Sequence, residues 1–421
     1  MKALTFKRYG KSPEIGFADV PRPAPKPDEL LVQVHAAGLN PIDNIIPQGT
    51  FKPVLHFQLP ATLGSDLAGV VVEVGSRVTR FKPGDAVFAS LFDLGNGSLA
   101  EFAVVPESAA ALKPSKLDFV QAASVPMVAL TSWQALKERA GLRRGQKVFI
   151  PAGSGGIGTF AIQLAKHLGA KVGTTVSTGN VELASSLGAD EIVDYKKQDF
   201  DKVLRGYDAV LATVKGDTVE KSIGILEPGG KIVSLIGPLD AAFARARRLN
   251  FILTFVFGLM SRKILRLARK REVDYSFLFV HPDGQQLAAI GELLESERIR
   301  PVIDKVFPFE QAKEALDYLA QGRAKGKVVV FGSSQLGGDK EMIQKLKLGT
   351  LDMALPSTVM SSEVDLFGIF EMPYLVKDRE HMKRIERDVV WTSLAPEAEK
   401  KGLKVVAVWE NGYRHITNNK R

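Results

Sequence analysis

Lys147-Val148-Phe149-Ile150-Pro151-Ala152-Gly153-Ser154-Gly155-Gly156-Ile157-Gly158 is the stretch that decides the fold. Lys147–Ile150 reads as a short buried strand. Gly153, Gly155 and Gly158 fall in the G-x-G-x-x-G spacing, and a helix follows with Ile157, Ala161, Leu164, Ala165 and Leu168 along one face. The first glycine permits a tight turn, the second lets backbone N–H groups approach a pyrophosphate, and the third lets the helix pack on the strand. Ser154, Gly156 and Ile157 complete the turn. The helix N-terminus adds partial positive charge and free N–H donors. A glycine-rich turn alone is a weak signal. Here a strand precedes it, a helix follows, and a second strand comes at Lys171–Val176, which together predict dinucleotide binding.

The end of that second strand discriminates between cofactors. NAD enzymes place Asp or Glu there for the ribose 2′-hydroxyl. This chain has Val176-Ser177-Thr178-Gly179-Asn180. Hydroxyl and amide donors without a carboxylate suit a 2′-phosphate, so Ser177, Thr178 and Asn180 point to NADPH. The alternative is that they only shape a turn. Further strands are predicted at Glu191–Asp194, Ala209–Val214 and Lys231–Gly237, an alternating strand–helix pattern that implies a doubly wound parallel sheet over residues 125–280. Gly237 ends the last of these, beside the expected nicotinamide.

At 421 residues the chain expects two or three domains, and 45% hydrophobic with 24% charged residues is ordinary globular composition. There is no cysteine, which removes disulfides, thiolate nucleophiles and Cys-ligated zinc. The six histidines are scattered without ligand spacing, so no metal site is expected. Neither a nucleophile–His–acid set nor a carboxylate pair at a cleft is apparent, which leaves hydrolysis without support. Met1–Lys7 lacks the apolar core of a signal peptide and implies a cytoplasmic location. Residues 1–124 read as β-rich, with runs such as Leu30–Val34 and Gly69–Val74 between Gly, Pro and Asp turns, and with Gly95–Phe102 closing the series.

These turns carry a family resemblance. Ala37-Gly38-Leu39-Asn40-Pro41-Ile42-Asp43, Gly64-Ser65-Asp66-Leu67-Ala68-Gly69, Lys82-Pro83-Gly84-Asp85, Leu130–Leu136 and the glycine loop resemble the medium-chain dehydrogenase/reductase superfamily, in its zinc-independent quinone oxidoreductase and enone (alkenal) reductase branch. The resemblance implies an α/β fold: a GroES-like catalytic domain (1–124), an NADPH-binding Rossmann domain (125–280), a return to the catalytic domain (281–331), and a homodimer. It implies hydride transfer from NADPH to a quinone or to the double bond of an α,β-unsaturated carbonyl. Asn40, Asp43 and Asn44 match the substrate-side loop, and Thr131 the residue facing the nicotinamide. Tyr195 and Lys196 match the pair flanking the adenosine phosphate. Turn capping is the competing role for Asn40 and Asp43. Ser65 stands where zinc-dependent relatives carry His, and Ile45 and Ile46 where many relatives carry an aromatic. That last departure leaves a non-catalytic NADPH-binding or sensing protein as the alternative function.

Between Ala241 and Arg271 there are nine basic residues and no acid, around an apolar middle, Phe251–Phe257. The segment reads as helical, with three roles open: a solvated cover for the cleft, the lining of an apolar pocket, or a contact with an anionic membrane surface. Lys325 and Lys327 are candidates to reach cofactor phosphates, against the ordinary expectation of exposed lysines. Residues 332–421 resemble part of a tripartite (TRAP, DctP-like) solute-binding protein. Pieces at Ser333–Asp339, Lys347–Leu355, Phe370–Leu375 and Val408–His415 carry that likeness, with Arg414 matching an arginine near the ligand. This likeness covers only a fragment of such a domain, so the segment is expected to bind no organic acid and to pack loosely. The two resemblances meet at Val328–Phe331.

Overall fold

The computed structural model describes residues 1–332, 379–401 and 403–405. The chain divides into two compact units, Met1–Ser333 and Ser334–Arg421.

Sixteen strands build the described part of the first unit. They are β1 (Lys2–Phe6), β2 (Ile15–Asp19), β3 (Glu29–Leu39), β4 (Ala61–Thr62), β5 (Asp66–Val74), β6 (Ala86–Ser90), β7 (Phe102–Pro106) and β8 (Ala110–Leu112), then β9 (Lys147–Ile150), β10 (Lys171–Val176), β11 (Glu191–Asp194), β12 (Tyr207–Ala212), β13 (Leu226–Ser234) and β14 (Asp274–Phe277), and finally β15 (Ile303–Pro308) and β16 (Lys327–Phe331). The sheet order β11-β10-β9-β12-β13-β14 is parallel throughout. It reverses direction at β9, so the crevice opens where the glycine loop leaves that strand. β9 is buried from Val148 to Ile150, as a strand covered on both faces must be.

The second sheet runs β15-β16-β3-β5-β6-β8, with β7 also on β3. β3 spans the join: its first half pairs with β7 and its second half, Ala36–Leu39, with β16. Thus the first β-rich segment and the returning residues 303–331 form one sheet. A small sheet, β2-β1-β4, pairs separately but packs Leu4 and Phe6 into the same core as Ala37, Leu39 and Val328.

β9, β10 and β11 fall where the pattern predicted them. β12 and β13 begin earlier than predicted because Tyr207, fully buried and edge-on to Phe149, pairs with Leu226 and extends both strands. β7 and β8 follow the expected close of the β series. β14 was not foreseen, since Asp274-Tyr275-Ser276-Phe277 is a half-polar edge strand. The basic segment is two helices, Ala241–Ala246 and Phe251–Lys270, broken at Arg248 (φ +53°) and restarted by Asn250, whose Oδ1 accepts from Leu253 N at 2.9 Å.

Described by itself, the second unit contributes helix Arg379–Ile385, a widened helical stretch Glu386–Leu394 and helix Ala395–Lys400, around buried Val390, Leu394 and Ala398. The four pieces named above for this region, Arg414 included, lie outside the described residues.

Candidate active site

At the nucleotide end, Ala152 takes a left-handed conformation (φ +55°) to turn the chain off β9. Its N–H donates to Thr175 Oγ1 at 3.1 Å, and Gly153 N–H to Thr175 O at 3.0 Å, which ties the turn to β10. A Cβ on Gly153 would stand 2.2 Å from Thr174 Oγ1, and one on Gly158 2.3 Å from Ala152 O. Those two glycines serve packing. A Cβ on Gly155 would meet only Ala152 O at 3.4 Å, so its bareness serves approach from outside. No side chain caps helix Gly156–His167, which begins at Gly156 and Ile157, so its first amides face the crevice without a partner side chain. These features fit a pyrophosphate.

At the end of β10, Asn180 Nδ2 donates to Ser154 Oγ and Ser177 Oγ, both at 3.1 Å, and links the two loops. Thr178 Oγ1 donates to Asp194 Oδ2 at 2.6 Å. Tyr195 is 59% exposed, its N–H held by Val176 O, and Lys196 is exposed beside it. A carboxylate that the end of β10 lacks stands on the neighbouring strand: Asp194, at the end of β11, is level with Val176. Thr178 and the Lys196 N–H hold its carboxyl below the usual range, so it stays ionised and already hydrogen-bonded. Gly237 (φ +92°) accepts from Ser234 Oγ at 2.9 Å beyond the end of β13.

The substrate-side loop carries a second, quite different construction. Asn40 ends β3 and caps the short helix Pro41–Ile45: its N–H donates to Asp43 Oδ2 at 2.7 Å. Ser65 Oγ donates to Asp43 Oδ1. Asn40 Nδ2 donates to Asp66 Oδ2 at 2.9 Å, and Met127 N to Asp66 Oδ1 at 3.0 Å. Lys327 Nζ reaches Asn40 Oδ1 at 2.6 Å and Asp66 at 3.4 Å. All five side chains are buried.

This overturns two expectations. Lys327 is 4% exposed and not a solvent lysine, because β16 inserts beside β3 and carries it inward; Lys325 is exposed. A carboxylate pair does exist, Asp43 with Asp66, which β3, its following turn and β5 bring together. Burial pushes Asp43 up to about 7, against the pull of Ser65 and Asn40. Burial also raises Asp66, against the pull of the Lys327 ammonium, and lowers Lys327. Two acids and one cation in a dry site cannot all be ionised at little cost, so near neutrality Asp43 is poised between its protonated and ionised forms.

Thr131 is buried in helix Pro126–Trp133, whose Met127 N–H holds Asp66. Asn44 has its amide on Leu316 O at 2.9 Å, a packing role. The Lys327 stem lies against Gly156, its Cδ 3.1 Å from where a Cβ would be, and Gly326 N donates to Ser154 O at 2.9 Å. One strand end therefore touches both the glycine loop and the acid cluster. A shallow depression lies over Asp43 and Ser65, lined by Ile46, Phe57, Leu63 and Phe92.

Comparison with known proteins fits this geometry. Residues 26–115 match the alcohol dehydrogenase GroES-like domain and 187–330 the family described as zinc-binding dehydrogenase. A mitochondrial NAD(P)H oxidoreductase of Danio rerio is 35% identical over 354 residues, covering 78% of this chain and 91% of that protein. The chain belongs to the medium-chain dehydrogenase/reductase family. The chloroplastic NADPH-dependent alkenal/one oxidoreductase of Arabidopsis thaliana is 34% identical, with 79% of each chain covered. The quinone oxidoreductase structure from Coxiella burnetii superposes with a TM-score of 0.67 at 31% identity, over 79% of this chain and 99% of that one. Residues 306–421 match bacterial extracellular solute-binding protein family 7. The two family matches overlap over residues 306–330, which hold the second half of β15, a helix and nearly all of β16 inside the first unit.

Proposed function

We propose that this oxidoreductase uses NADPH to reduce a quinone, or the carbon–carbon double bond of an α,β-unsaturated carbonyl, without a catalytic zinc. The observation that carries the reading is the buried Asn40–Asp43–Ser65–Asp66–Lys327 cluster beside the glycine loop. It supplies a resident cation and a proton where a zinc enzyme holds its metal. The chain has no cysteine, and an ammonium among these donors would repel a divalent ion.

In this reading Gly156 and Ile157 offer backbone N–H groups to the pyrophosphate, which bare Gly155 lets approach, and Ser177, Asn180, Tyr195 and Lys196 receive the adenosine phosphate. Bound NADPH supplies hydride from nicotinamide C4. Thr131 and Gly237 bound the space for the ring. The apolar walls of the depression, Phe57, Phe92 and Ile46, exclude water from the acceptor. Reduction leaves an enolate or a hydroquinone anion, which needs one proton. Ser65 relays it, passing its hydroxyl proton to the oxyanion and taking that of Asp43. Asn40 and Lys327 position Asp43 and Asp66, and the Lys327 ammonium opposes the rise that burial imposes on Asp66.

Following NADPH absorbance with 1,4-benzoquinone, 9,10-phenanthrenequinone and 2-alkenals, before and after chelator treatment, tests the reading. Turnover that survives the chelator is expected. Cofactor binding without oxidation across the panel would favour the sensing alternative, and loss of turnover on chelation would restore a metal.

A further inference from the structure

Helix Phe251–Lys270 is about 30 Å long at 1.5 Å per residue. Phe257, Ser261, Ile264 and Ala268 form its buried face. At 100° per residue the opposite face holds Phe251, Ile252, Phe255, Val256 and Leu259 in the first half, with Met260 on its flank, all exposed; Phe251 is 82% and Phe255 66% accessible. The same face continues in the second half as Arg262, Lys263, Arg266, Arg269 and Lys270, also exposed. One face of one helix is therefore apolar along its first half and cationic along its second. No acid occurs from Ala241 to Arg271, and among the described residues only Lys263 of those five has a salt bridge, to Glu220 at 3.4 Å.

Single exposed apolar residues are ordinary, but six contiguous ones mark a docking surface. We infer that this face seats the protein on an anionic phospholipid surface, with the phenylalanine half among the acyl chains and the arginine half among the phosphates. Charge complementarity selects that occupant. A second copy packed face to face would leave the cations facing apolar residues or one another, without counter-charges. A lipid surface offers hydrocarbon and negative charge side by side. The contact is peripheral: among the described residues no helix is long and apolar enough to cross a membrane.

The packing beneath the strip extends toward the substrate. Ring centroids run Phe257–Phe243 at 6.3 Å, Phe243–Phe279 at 5.5 Å and Phe279–Phe92 at 4.9 Å, and Phe92 walls the depression over Asp43. Arg247 fastens the helix pair to the catalytic sheet side through Asp93 at 2.5 Å and 2.8 Å.

The test is cosedimentation of the full chain with vesicles of phosphatidylcholine plus phosphatidylglycerol, against pure phosphatidylcholine, at rising salt and without any acceptor. Binding only to the anionic vesicles, weakening as salt rises, is expected. The double change Phe251→Ser with Phe255→Ser, and the triple change Arg262→Glu, Arg266→Glu and Arg269→Glu, should each lower the partition coefficient by about tenfold or more. NADPH oxidation with a water-soluble acceptor should not change. The charge reversal touches only exposed side chains and carries the test alone if the serine variant melts early. Absence of binding, equal binding to neutral vesicles, or unaltered binding by the charge reversal would overturn the inference. So would a serine variant that turns a solution dimer into a monomer, since the strip would then be an interface between copies. With no acceptor in the vesicle assay, its outcome is independent of the reductase reading.

Discussion

The two ends of the cleft solve recognition in opposite ways. The nucleotide end is made of main chain: a bare Gly155, uncapped helix amides, and hydroxyls joined by Asn180. Its groups lie close in sequence, and its polar side chains are small and partly exposed. The acid end is made of side chains from positions 40, 43, 65, 66 and 327, each at most 4% exposed. There every member is the counter-charge or the solvent of the next. A main-chain site tolerates the loss of one side chain, whereas a buried charge cluster fails as a unit.

Removing the cation should break that contrast most visibly. Lys327→Met leaves Asp66 buried without its ammonium and should cost about 3–5 kcal/mol in urea unfolding; a loss below about 1 kcal/mol would mean that Asp66 is simply protonated and the cluster is not a unit.

The glycines sharpen the comparison from the other end. Gly155→Val should weaken NADPH binding by about tenfold or more while leaving the melting temperature unchanged, because the new Cβ meets no protein atom closer than Ala152 O at 3.4 Å. Gly158→Val should lower both, since its Cβ would stand 2.3 Å from Ala152 O. Equal melting temperatures for the two variants would contradict the division between packing and approach glycines.

Asp43 gives a pH signature. Its folded value, about 7, lies above its ordinary 3.8, so the folded state holds the proton more tightly. Its contribution to stability is thus full below about 3.8 and is lost as pH rises through 7. Asp43→Asn should flatten that slope in denaturation series between those limits. It should also slow turnover by about 10²-fold, the usual scale for a positioned proton donor. An unchanged pH–rate profile would remove Asp43 from proton delivery.

Smaller effects remain at the periphery. Lys196→Ala should reduce the preference for NADPH over NADH by about threefold to fivefold, as befits one exposed charge near a phosphate. Smallest of all, truncation after Ser333 should leave NADPH oxidation rates intact. A drop of about tenfold, or 1.4 kcal/mol, would make the second unit part of the working enzyme.

The same contrast explains what could be read from the sequence. The glycine loop, β9, β10 and β11 were legible because their signals are local: a spacing, a hydrophobic run, a turn. Asn40 and Asp43 were found through a family likeness, and turn capping and cluster membership proved to be the same contact, Asn40 N–H on Asp43. Lys327 was mistaken for a surface lysine because nothing within ten residues of it reveals the sheet it enters. Its partner Asn40 lies 287 positions away. Asp66 was quoted as part of a turn, yet its charge acquires meaning only through β16. Asp194 is not legible from the end of β10, because only the pairing of β11 with β10 brings its carboxylate to the level of Val176. A lysine directly after a glycine at the start of a final apolar strand, with an unexplained Ser-Asp pair upstream, was the available clue.

The insertion of β16 between β15 and β3 has a consequence for biosynthesis. Asn40 leaves the ribosome 287 positions before Lys327, and at about 5–20 residues per second that gap lasts roughly 15–60 s. Throughout it, the second half of β3 has an open edge, and Asp66 waits for an ammonium not yet made. A premature stop anywhere before Lys327 therefore leaves the catalytic sheet unclosed. Residues 332–421 are synthesised after that strand, so it can dock while the chain is still tethered to the machine that makes it.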